Sequence, residues 1–146
     1  MSQFVAKSEM LIRRAVSEVF AAFVDAGTIR KFWLENVSGP LAAGAEVEWT
    51  FMAPGASTTV RVVEFREDRC IVFDWSDGIR VQLLFVSHVS DQTRAVFTAS
   101  GFRTAASAVA AMEGFSIVLC DLKTLLEGGQ SANLVRDKAI PIASTR

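Results

Sequence analysis

The spacing of apolar residues switches period part-way along this chain, and that switch limits the fold more than any other feature. Between residues 46 and 100 the period is two. Residues 46–52 put Val47, Trp49 and Phe51 on one face and Glu46, Glu48 and Thr50 on the other, the alternation of a half-buried strand. Segments 58–65, 69–75, 79–89 and 94–100 continue the run. They are separated by Pro54-Gly55, Arg66-Glu67-Asp68, Asp77-Gly78 and Ser90-Asp91-Gln92. Such short turn signals between alternating segments predict an antiparallel meander. Past Gly101 the period lengthens to 3.6. Ala108, Met112, Phe115, Leu119, Leu122 and Leu126 step by three or four residues along one stripe, with Glu113, Cys120, Asp121 and Thr124 on the other side. Gly128-Gly129 is a helix stop.

Ahead of the meander, residues 4–14 alternate loosely as a first strand. Ser17 is placed to cap a short helix over 18–25, whose apolar residues are Val19, Phe20, Phe23 and Val24. Ala26-Gly27 ends it, and 28–33 reads as a second short helix with Ile29, Phe32 and Trp33 turned inward. The order predicts an α+β helix-grip fold. A curved antiparallel sheet of about six or seven strands wraps around the long C-terminal helix, because helix stripe and apolar sheet face must cover each other. Residues 1–129 form this domain, and 130–146, with Pro141 and small polar residues, read as an irregular tail.

Composition removes several function classes. At 146 residues the chain suits one domain. Hydrophobic residues are 51% and charged residues 21%, which excludes intrinsic disorder. The longest run without Lys, Arg, Asp or Glu is 49–60, broken by Pro54-Gly55 and short of the roughly 20 residues a membrane span needs. The first residues carry no apolar signal core, so Cys70 and Cys120 are expected as reduced thiols in the cytoplasm. A net charge of -1 without basic blocks argues against nucleic acid as a partner. One His and two Cys make no usual zinc set. No phosphate loop or nucleophile elbow is present, so no metal, cofactor or catalytic residue is expected.

Three segments resemble a known family. They are Ile12-Arg13-Arg14-Ala15-Val16-Ser17-Glu18-Val19-Phe20 running on to Phe32-Trp33, the strand Cys70-Ile71-Val72-Phe73-Asp74-Trp75, and Glu113-Gly114-Phe115 followed by Leu119, Leu122-Lys123 and Leu125-Leu126-Glu127-Gly128. On these the chain resembles the START-like (SRPBCC, birch-pollen-allergen-like) superfamily. Within it, the chain is similar to stand-alone domains named after the activator of the heat shock protein 90 ATPase. It departs from that pattern at Gly114-Phe115, where Gly-Trp is usual, and at Ser90-Asp91-Gln92-Thr93, which replaces a Gly-Gly-Thr turn. The resemblance implies a cavity between sheet and helix for apolar or amphipathic small molecules. It also implies two alternatives: a chaperone-associated stress-response domain, or an enzyme of the polyketide cyclase/aromatase or hydrolase sort.

Residue by residue, the chemistry is sparse. His88, the only histidine, falls on the same strand face as Arg80 and Gln82, the expected solvent side. Cys120 and Cys70 have no activating base nearby in sequence. With no tyrosine in the chain, only Arg, His, carboxylates and hydroxyls remain to orient a polar ligand group. Glu113 is placed near the cavity mouth. The aromatic residues carry the most information, since pockets for small molecules are mostly apolar with few polar anchors. The expected ligand-binding set is Trp33, Trp49, Phe51, Phe73, Trp75, Phe85, Met112, Phe115 and Leu119, with Ser116 as polar anchor and Arg80 as a weaker candidate. Free edge strands allow a homodimer.

Overall fold

The computed structural model describes residues 4–144, and side chains as far as residue 139. Strand β1 (Phe4–Ile12) leads into helices α1 (Val16–Val24) and α2 (Ala26–Phe32). Six strands follow: β2 (Leu34–Val37), β3 (Glu46–Phe51), β4 (Ser57–Arg66), β5 (Cys70–Trp75), β6 (Arg80–His88) and β7 (Gln92–Phe102). Helices α3 (Ala105–Gly128) and α4 (Leu134–Ser144) close the chain. The strands form one antiparallel sheet in the order β1-β7-β6-β5-β4-β3-β2. From β1 the chain crosses through α1 and α2 to the opposite edge. It then returns strand by strand until β7 pairs with β1, with Ser8 opposite Phe97 and Met10 opposite Ala95. This is the helix-grip arrangement the periodicity predicts.

Local details differ from the sequence reading. Helix α1 starts at Val16 with Ala15 as its cap residue, so Ser17 lies inside the helix and caps nothing. The cap that forms is Asp25. Its carboxylate accepts from the Thr28 amide (2.9 Å) and hydroxyl (2.7 Å), which starts α2 at Ala26 and carries it through Gly27. An Asp at the N-cap satisfies otherwise orphaned helix amides, and two helices therefore meet where a stop was expected. The tail is a second correction: α4 occupies 134–144, where an irregular segment was expected.

The core is aromatic. Phe23 of α1 meets Phe32 edge-on at 5.3 Å, and Trp33 meets Trp49 at 4.9 Å. Trp49 continues to Phe73 at 5.1 Å, and Phe97 stacks on Phe115 of α3 at 4.5 Å and 3°. Such pairs add about 0.5–1.5 kcal/mol each beyond the area they bury.

Helix α3 is capped by Thr104, whose hydroxyl accepts from the Ser107 amide (3.1 Å), and ends at Gly129 in the left-handed region. By length and composition alone α3 is apolar enough to cross a membrane. Here Phe115, Val118, Leu119 and Leu122 are buried in the domain core. Polar ties fix α3 over the β1 edge. Ser8 donates to the Met112 carbonyl (3.0 Å), Lys123 Nζ to the Leu11 carbonyl (2.6 Å), and the Arg13 amide to Glu127 Oε2 (2.7 Å).

Candidate functional site

Because α3 lies over β1 and β7, it leaves part of the concave face formed by β3 and β5 uncovered. An open-sided recess of about 210 Å³ remains there. Phe51 and Trp75, with ring centroids 5.8 Å apart, belong to the sheet wall. Met52 and Ala53 come from the tight turn after β3, and Trp33 from the end of α2. One face of α3 supplies Ala111, Gly114, Phe115 and Val118, and α4 supplies Val135. The hollow has a simple origin: Ala111 and Gly114 present almost no side chain where a helix normally fills the space against a sheet.

The side-chain N–H groups of this wall are the indoles of Trp33 and Trp75. Trp75 Nε1 is buried and finds no hydrogen-bond partner among the described residues. A buried donor left unpaired costs about 1–3 kcal/mol, and Trp75 is a residue of this wall.

Helix α4 closes one side of the recess, and a buried carboxylate holds it there. Asp121 of α3, placed by periodicity on the polar side of the helix, is 1% exposed. It accepts from the Ser131 hydroxyl (2.6 Å) and the Val135 amide (3.2 Å), which caps the first turn of α4. Arg136 pairs with Glu35 (2.8 Å) and Lys138 with Glu113, but exposed pairs of this kind contribute little. Asp121→Ala leaves two donors without their acceptor, at about 1–3 kcal/mol. The expected result is faster amide exchange across residues 134–139 with the sheet still protected. Unchanged exchange in α4 counts against the carboxylate as its anchor.

Four of the ten residues expected to bind ligand line the recess together: Trp33, Phe51, Trp75 and Phe115. Trp49, Phe73, Phe85 and Leu119 are buried in the core behind it. Met112 is half-buried against the core. Ser116 is turned toward β1, its hydroxyl 2.9 Å from that of Ser8 and outside the recess lining. Arg80 is held by a two-pronged pair with Asp74 (2.7 and 2.9 Å), which keeps that carboxyl below its usual range. Glu113 is exposed, and so is His88. Cys70 is buried, and that burial pushes its thiol up, away from the reactive thiolate. No group of three His, Cys, Asp or Glu able to hold a metal occurs among the described residues. The lining residues that periodicity missed are Met52, Ala53, Ala111, Gly114, Val118 and Val135. Ala111 and Gly114, three apart on one helix face, are the signal that could have found the hollow.

Residues 13–127 match the family model described as Activator of Hsp90 ATPase homolog 1-like protein. The chain belongs to this family. Among curated proteins, no sequence matches it. Among solved structures, protein SSP2350 from Staphylococcus saprophyticus superimposes with a TM-score of 0.79 at 22% identity, over 88% of this chain and 95% of that one. The Aha1 dimer from Colwellia psychrerythraea gives 0.78 at 17% identity, over 88% and 99%. DynU16, a protein of the dynemicin biosynthetic locus, gives 0.79 at 18% identity; the match covers 87% of this chain and 48% of DynU16, about half its length. At these identities the likeness is one of fold. In this Activator of Hsp90 ATPase homolog 1-like chain, the three segments that carry the family resemblance converge on one place. The first brings Trp33 to the recess, the second Trp75, and the third Gly114 and Phe115.

Proposed function

We propose that this family member binds an apolar or amphipathic small molecule in the recess between α3, α4 and the concave face of the sheet. The observation that supports this most is a predominantly apolar wall that includes Trp75, whose indole N–H is buried and unpartnered among the described residues. Apolar walls with a few placed polar groups characterise small-molecule sites, and the indole N–H groups of Trp33 and Trp75 are the side-chain donors this wall has for a carbonyl, ether or hydroxyl oxygen. The recess is open-sided, which gives a path for entry. Both cysteines are free, which fits a reducing, cytoplasmic setting.

Native mass spectrometry of the freshly purified protein tests the reading. The expected spectrum shows a stoichiometric adduct that is lost on denaturation. A bare mass, together with no binding of added apolar probes, counts against it.

A relative described as a dimer and the edge position of strands β1 and β2 in the sheet support a second reading, association of two copies. The family's description supports a link to chaperone ATPase activity. The mass of the intact species reads the first, and stimulation of a purified chaperone ATPase reads the second.

A further inference from the structure

The same face of α3 that lines the apolar recess continues, one turn on, into a second recess of different character. Val118 borders the first and Asp121 the second, a rise of about 4.5 Å along the helix. Met52 borders both, and Val135 and Arg136 of α4 divide between them. The second recess measures about 400 Å³ and has Arg30, Lys31 and Arg136 in its lining.

Its charges do not cancel. Asp121 is buried, with its oxygens taken up by Ser131, Val135 and Thr124. Arg136 is paired with Glu35. Arg30 donates only to the Glu35 carbonyl, at 3.4 Å. Neither Arg30 nor Lys31 has a carboxylate within ion-pair distance among the described residues. Three cations line the recess against one lining carboxylate, Asp121, while Glu35 pairs with Arg136 from outside the lining and Asp25 lies near Lys31 without pairing with it. A place at the end of α2 suits basic residues on dipole grounds, but that does not account for a cavity beside them.

We propose that the ligand is an amphipathic monoanion, a carboxylate whose apolar body fills the recess under Phe115 and whose charged end lies on Arg30 and Lys31. This rests on the small-molecule reading above and adds to it the charge and orientation of the ligand. Arg30 and Lys31 are adjacent lining cations without a carboxylate partner among the described residues, and one carboxylate can engage both. Charge-assisted hydrogen bonds are about twice as strong as neutral ones, so the head group has a marked effect on affinity.

Calorimetric titration with decanoate and with decanol, its neutral counterpart, tests the proposal on the full chain. Decanoate is expected to bind about tenfold more tightly, the equivalent of one charged hydrogen bond. In the double variant Arg30→Gln, Lys31→Gln the ratio of the two affinities should fall to about one. Both positions are exposed, so the variant is expected to fold. Equal affinities in the wild type, or a preference that survives in the double variant, overturn the anionic head group while leaving the cavity in place. Binding of neither probe overturns the cavity reading as well.

Discussion

Replacing Gly114 with leucine is expected to weaken ligand binding roughly ten- to a hundredfold and leave the domain more stable than the wild type. Gly114 sits inside α3 without a positive φ, and a Cβ built there meets no atom within 4 Å. Glycine in a helix interior costs about 1 kcal/mol relative to alanine, and leucine is close to alanine. The substitution should therefore raise the midpoint of urea unfolding. The same side chain enters the hollow that Gly114 helps to line. Forcing a ligand into an overfilled site costs about 1–3 kcal/mol, or roughly ten- to a hundredfold in affinity. Few substitutions raise stability while weakening binding. If Gly114→Leu is more stable yet binds decanol as tightly as the wild type, the ligand lies elsewhere.

Trp49→Ala should do the opposite kind of damage. Trp49 is 1% exposed and packs between Trp33, at 4.9 Å, and Phe73, at 5.1 Å. Truncating a buried tryptophan costs about 3–5 kcal/mol, against a total stability of about 5–15 kcal/mol for a domain. The midpoint of thermal unfolding should fall by roughly 10–20 °C. Trp75→Phe is the matched comparison, since it removes an N–H that has no partner and keeps an aromatic ring in the wall. Its cost should stay below about 1.5 kcal/mol. Equal losses in the two variants contradict the division between core and lining.

That division marks the limit of what residue patterns convey. Alternation in 46–52 and the stripe from Ala108 to Leu126 specify strand and helix because each period needs one covered face. They do not say where along the sheet the helix comes to rest. Its position follows from ties such as Lys123 to the Leu11 carbonyl, made across more than a hundred residues. Trp49 and Trp75 therefore look alike in sequence, and only the offset of α3 toward β1 makes one core and the other lining. Strand β2, four residues long, is too short for a period to register. Helix α4 is not legible in the sequence because its anchor, Asp121, reads as a solvent-facing residue, and only the folded chain brings Ser131 and Val135 to bond it.

The central claim is that the recess beside Trp75 receives a ligand. The three tryptophans give three indole N–H resonances in a ¹⁵N-labelled sample, one of them from the core and two from the recess. Titration with decanol is predicted to shift the indole signals of Trp75 and Trp33 in a saturable way and to leave that of Trp49 in place. Three signals that stay still, or a Trp49 signal that moves while the other two do not, contradict the account.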